Sequence, residues 1–256
     1  MNDPGNNVII KGIVIKSEIS GEKSKLLTVL SADLGTIRVL ATGGNNSKTS
    51  YFGSTQLFSY SQLTLKSLQR GYILSEAEQI ESFYPLRQNL RSFALACYFA
   101  EICSFISVPG DEQPLRVLLN CLYALIKGIS AEEKIKTVFE LKTSSAAGFY
   151  PNLDQCAVCG SKRSETALFL SIPDGGVLCD ACTENAMNAG KGLIPLNGAV
   201  FSALYFLRDV DPKKMFSFEL GDEDAGALGD IAEKYLMFYL DKEMPSLDFY
   251  KRMREI

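Results

Sequence analysis

Apolar residues recur in short, near-alternating runs through the first eighty positions, and from Pro85 onward they recur every third or fourth position. The first spacing is that of strands with one face buried, and the second is that of helices carrying an apolar stripe. Strands are predicted over 8–16, 25–31, 36–41, 55–65 and 71–77, with a turn at Asp33-Leu-Gly35 and a polar loop over 42–50. Five short strands in so little chain suggest a small closed barrel. An OB-fold is the commonest such barrel, and an SH3-like barrel would give a similar pattern.

The helical part opens with Leu86, Leu90, Phe93, Cys97 and Ala100 on one face. A second helix starts at Pro114, carries Leu115, Leu118, Leu119, Leu122, Leu125, Ile126 and Ile129, and ends at Gly128 and Ser130. A third spans 131–147 with Ile135, Val138, Phe139 and Lys142 on its face, stopped by Gly148 and Pro151. Two more follow over 197–208 and 225–240, the last with Leu228, Ile231, Ala232, Tyr235, Leu236 and Tyr239. Core packing accounts for all of these stripes.

Between the third and fourth helices stand Cys156, Cys159, Cys179 and Cys182, two C-x2-C pairs separated by nineteen residues. That is the ligand spacing of a four-thiolate zinc site, and Gly160 suits the positive φ of a knuckle. A strand over 167–171 and a turn at Pro173-Asp-Gly-Gly176 complete the outline of a zinc ribbon. The chain holds no histidine. Four thiolates close a tetrahedral shell with no open position for water, so the zinc is expected to be structural. A dithiol redox motif or disulfides would use the same residues but fit less well. Cys97, Cys103 and Cys121 lie in apolar helical stretches and read as small core thiols.

Net charge is −4 over 256 residues, which taken alone argues against simple electrostatic binding of nucleic acid. The distribution changes that picture. The first eighty residues carry eight basic and six acidic side chains, and the remainder carries eighteen basic and twenty-four acidic. Neither a signal peptide nor an apolar run of membrane-spanning length is seen, so a cytoplasmic protein without membrane contact is expected. No phosphate loop, dinucleotide fingerprint or histidine-based nucleophile pair occurs, and Asp222-Glu-Asp224 reads as a solvated acidic loop. The protein is therefore not expected to be an enzyme.

Several stretches, in order, resemble the RecO family of bacterial recombination mediators: 11–16, 21–30, 34–37, 48–53 and 56–58, then Phe139-Glu-Leu-Lys142, Gly148-Phe-Tyr-Pro151, Cys156-Ala-Val-Cys-Gly160, Gly175-Gly-Val-Leu-Cys179 and 242–247. The resemblance implies an α+β protein with an OB-fold DNA-binding barrel over 1–80 and a helical domain over 81–256, interrupted at about 152–192 by the ribbon. It further implies binding of single- and double-stranded DNA and annealing of complementary strands, in a cytoplasmic, nucleoid-associated setting. RecR and single-strand-binding protein would be partners, with RecA loaded as the indirect result. Under that reading Lys11, Lys16, Lys25, Arg38, Lys48 and Arg70 contact phosphates, and Tyr51 and Phe52 stack on bases. The loop over 41–48 departs from the family in being weakly basic, and Lys251-Arg-Met-Arg254 offers a second cluster, read here as a solvated tail. A zinc-stapled adaptor whose barrel binds protein is the competing expectation.

Overall fold

The computed structural model describes residues 7–164 and 168–254, which fall into two compact units: one runs through Ile129 and resumes at Met244, and the other is Ser130–Glu243. In the first unit, β1 (Asn7–Ser20), β2 (Ser24–Ser31), β3 (Gly35–Ala41), β4 (Ser59–Ser67) and β5 (Tyr72–Ser82) close a barrel in the order β1-β2-β3-β5-β4. The closing contact is parallel, Val39 to Tyr72 and Leu40 to Ile73, which is the OB connectivity. Alternation places Leu27, Val29, Val39, Leu63, Leu65 and Leu74 inside. In β1 the alternation breaks, since Ile13, Val14 and Ile15 are all buried. A bulge between Val14 and Lys16 leaves Ile15 as the extra residue and turns Lys16 outward.

The fourth strand starts four residues later than its sequence pattern indicates. Residues Gly53–Thr55 form a 3-10 turn, and Phe58 adopts a positive φ of 62° that no strand tolerates. Its ring is buried and meets Phe93 edge-on at 5.9 Å. Helix α1 (Leu90–Ile106), capped by Asn89 accepting from the Ser92 amide, packs on β1, on α2 (Gln113–Lys127) and on α7 (Pro245–Arg254). The single stripe expected for α1 is therefore corrected: Leu90 is exposed, whereas Ala94, Leu95, Tyr98, Phe99 and Ile102 are buried, because neighbours press on several sides of this helix. Gly128 ends α2 in the left-handed conformation, as its position suggests. The segment read as a solvated tail is helical in its last turn, where Lys251, Arg252 and Arg254 complement the α7 dipole while Leu247 and Tyr250 are buried.

The second unit is built on α3 (Glu132–Ala146), packed by α5 (Gly198–Asp209) and α6 (Asp222–Leu240). From Ile135 through Ser144 every residue of α3 is buried, including Lys136, Glu140 and Lys142. Asp222, Glu223 and Asp224 form the first turn of α6 rather than a loop; carboxylates there face the positive end of the helix dipole. The ribbon supplies β6 (Leu168–Ser171), β7 (Gly176–Val177) and β8 (Ile194–Leu196), with α4 (Asp180–Asn188) between the last two. Gly176 has no room for a side chain, since a Cβ would stand 2.4 Å from the Asn152 carbonyl oxygen and 2.8 Å from its nitrogen. Gly176→Ala should cost about 1–3 kcal/mol or more, read as a lowered urea midpoint, because the Asn152 backbone it would meet is paired to this strand and cannot yield.

Candidate nucleic-acid interface and metal centre

The register of the barrel brings together residues far apart in sequence. Lys16 pairs with Thr28 across β1 and β2, and Thr28 pairs with Arg38 across β2 and β3. All three point away from the core, so one row crosses the outer face of three strands. Beyond Arg38 the row meets Gly71, whose missing Cβ would stand 3.0 Å from the Arg38 carbonyl oxygen, and exposed Arg70 precedes it. This is the strand 2–3 face with the loop between strands 4 and 5, where OB-folds take up oligonucleotides. Lys16 carries one counter-charge, Glu18 at 3.1 Å, an exposed pair of little strength.

The loop between β1 and β2 belongs to the same face of an OB-fold and holds exposed Lys23, a site candidate missing from the sequence-based set. Strand order was the only signal that could have selected it. The Lys23 carbonyl accepts from the Asn45 amide at 3.0 Å, which ties that turn to the 42–58 loop and to exposed Lys48. Thr49 and Thr55 hydroxyls donate to Gly43 and Gly44 carbonyls and hold the same loop in place. On β5, by contrast, the exposed charged side chains are Glu76, Glu78 and Glu81, opposite Thr64, Gln62 and Tyr60 of β4. The barrel is thus polarised, cationic on β1–β3 and anionic on β5.

The other candidates are placed differently. Lys11 is exposed but stands opposite Gln62 on β4, away from the row. Lys25 is only 7% exposed, and its ammonium lies 5.2 Å from the Phe52 ring centroid. Burial, with the charge of Arg87 second, holds its pKa below the ordinary lysine value. Tyr51 packs against the barrel core and donates its hydroxyl to the Thr42 carbonyl. These three side chains brace the loop, so their surfaces are partly spent on internal contacts.

In the ribbon the four sulfurs of Cys156, Cys159, Cys179 and Cys182 lie within 4.8 Å of one another, a cluster that could hold a metal ion. The positive φ of Gly160, 72°, turns the chain after Cys159, and a bridge between Gln155 and Lys162 closes the knuckle. Cys179 stands at the N-cap position of α4, where the Cys182 amide favours its thiolate, and Cys182 sits in the first turn. The Ser161 hydroxyl, 3.0 Å from the Cys159 sulfur, is the chief cause that lowers that thiol to about 6. Cys182 is pushed up to about 12 by hydrogen bonding to Cys159 and Cys179. Cys159 and Cys179 sulfurs are 3.6 Å apart, against about 3.8 Å for two ligands on a tetrahedral zinc and about 2.0 Å in a disulfide. The donor set and its spacing fit a thiolate-bound dication.

Taken together, these features define an OB-fold protein with a cationic strand face and a helical unit carrying a four-cysteine ribbon. The chain belongs to the RecO family of DNA repair proteins. Residues 6–83 match the family model for the recombination protein O N terminal domain, and residues 87–248 match that for its C terminal domain. The DNA repair protein RecO of Acetivibrio thermocellus is 30% identical over 98% of this chain and 99% of its own length. Those of Caldicellulosiruptor saccharolyticus and Desulforamulus reducens are 30% and 26% identical over 94% and 95% of this chain, and 96% and 94% of their own lengths. Among the described residues no helix is long and apolar enough to cross a membrane.

Proposed function

We propose that this chain is a non-catalytic recombination mediator. It binds single- and double-stranded DNA along the β1–β3 face of its barrel, anneals complementary strands, and with RecR helps RecA load onto DNA coated by single-strand-binding protein. The observation that carries the DNA contact is the row Lys16, Thr28, Arg38 and Arg70 on the face that OB-folds use for oligonucleotides. Phosphates pair with these cations while β5, with its carboxylates, turns a strand away. Lys48 and Lys11 extend the set from the loop and from β1. Lys25, Phe52 and Tyr51 act by holding the loop that presents them.

We further propose that the ribbon cysteines hold a structural zinc, since four thiolates on this spacing satisfy the ion and leave no position for water. In sequence the working parts are the barrel over 1–80 and the helical body over 81–256, with the ribbon at about 152–192. The setting is the cytoplasm, on nucleoid DNA. Annealing of complementary oligonucleotides, free and coated with single-strand-binding protein, is the test. Acceleration that weakens with salt is expected, and Arg38→Ala should flatten the salt dependence of DNA binding by about one unit of slope. An unchanged slope in that variant would remove the strand 2–3 face from the interface, and no annealing under any salt would leave a protein-binding adaptor.

A further inference from the structure

The seven cysteines fall into two settings. Cys103 and Cys121 are sealed inside α1 and α2, and burial pushes both thiols well above the ordinary range. Cys97, half-buried on α1, is pushed up to about 11 by burial and then by the charge of Glu101. Thiols held in the protonated form are poor nucleophiles, so these three are inert. In the ribbon, by contrast, Cys159 is exposed at the knuckle, Cys179 and Cys182 are half-buried, and Cys156 alone is closed off. The Cys159 sulfur meets the Ser161 hydroxyl at 3.0 Å and the Cys179 sulfur at 3.6 Å, so two cysteines from different arms of the ribbon approach each other at its open side. Cys156 is anchored instead, its amide donating to the Ser161 carbonyl at 2.8 Å and its carbonyl accepting from Gly160 at 2.9 Å.

We propose that Cys159 and Cys179 are a modification site for hydrogen peroxide, whose oxidation to a disulfide discharges the metal of the ribbon. The inference rests on the zinc reading given above. The exposed Cys159 thiolate attacks one peroxide oxygen; an S–O bond forms, the O–O bond breaks, and hydroxide leaves. The Cys179 thiolate then attacks the Cys159 sulfur, an S–S bond forms, and the S–O bond breaks to release a second hydroxide. Two thiolates thereby give up the two electrons that reduce one peroxide. The sulfurs have only to close from 3.6 Å to about 2.0 Å. Cys156 and Cys182 are left as two ligands where a structural dication needs four, and they take up protons as the ion departs. The barrel strands hold no cysteine, so the oxidation acts on the ribbon and spares the cationic row.

The test is the full-length, zinc-loaded chain treated with hydrogen peroxide, with released zinc followed by a chelating dye and the disulfide located by peptide mass spectrometry. Zinc release in step with a Cys159–Cys179 link is expected, while Cys97, Cys103 and Cys121 stay reduced, and dithiothreitol with added zinc should restore the starting protein. Ser161→Ala keeps all four ligands and should speed zinc release about threefold, because a thiolate relieved of a hydrogen bond is the stronger nucleophile. A link within either C-x2-C pair, earlier oxidation of the helical thiols, or an unchanged rate in Ser161→Ala would overturn the proposal. A chain that holds its zinc under peroxide overturns this inference alone, whereas a chain that takes up no zinc overturns the metal reading with it.

Discussion

Cys156→Ser is expected to bring the zinc proposed for the ribbon from one ion per chain to well below one, and to melt the ribbon while the barrel stays folded. The thiols stand in a small apolar cluster of Cys156, Leu178 and Ala186, with Cys179, Cys182 and Leu193 partly buried beside them, and among the described residues of the segment Leu153, Leu170 and Val177 are buried as well. A core of that size cannot offset the chain entropy of its residues. Metal binding, worth about 10–16 kcal/mol in isolated zinc modules, is then the folding free energy of the ribbon, and one thiolate in four carries roughly 3–4 kcal/mol of it. Cys156 is the ligand to choose because it is 1% exposed, so no water or buffer thiol can take its place easily. Zinc content by mass spectrometry and proteolysis within 152–192 are the readouts. DNA contacts of the barrel should change much less. Full metal content with an unchanged melting temperature would sink the structural role given to the ion.

The second large effect is predicted at Glu140, the middle residue of no motif with known chemistry but fully buried in α3. Its carboxylate is 2.8 Å from the Lys136 ammonium, which also receives Glu233 from α6 at 2.8 Å. Removing Lys136 leaves the buried Glu140 carboxylate without its ammonium, and Lys136→Met should cost about 3–5 kcal/mol by urea unfolding. The double change Lys136→Met with Glu140→Leu should recover most of that, because apolar replacements carry no desolvation cost. A loss below about 1 kcal/mol for the single variant would contradict the account. Burial pulls the Lys136 pKa down, but Glu140 and then Glu233 outweigh it and hold the pKa above 10.5. Since the folded value is raised, its stabilisation is complete below pH 10.5 and is lost as pH climbs through the folded pKa. The stability difference between the parent and Lys136→Met should therefore stay level through neutral pH and shrink only in strong alkali.

Glu140 lies in the segment Phe139-Glu-Leu-Lys142 that marked the family resemblance, and its neighbour shows why such a segment is constrained. The Lys142 ammonium donates to the carbonyls of Leu207 at 3.2 Å and Val210 at 2.8 Å, so it satisfies the C-terminal end of α5. Periodicity put Lys142 on the apolar face of its helix, yet nothing local could reveal that its charge ends on another helix sixty-five residues away. The same limit explains α1. A 3.6-residue period reports one buried face, whereas a helix pressed by the barrel and two other helices buries whatever its neighbours reach.

From the sequence alone came the barrel, five of the helical spans, the four-cysteine cluster and the family, because each is written in short-range spacing: alternation for strands, one-turn recurrence for helices, two-residue gaps for paired cysteines. Tertiary structure decided which cations lie together. Lys16, Arg38 and Arg70 form one row only through the bulge at Ile15 and the parallel closure of β3 on β5. Lys25 instead turns beneath the loop onto Phe52, and Arg163 reaches Phe201. Charge leaves no period in a sequence, since a solvated lysine and a bound one cost the chain nothing different until the fold sets what stands opposite them.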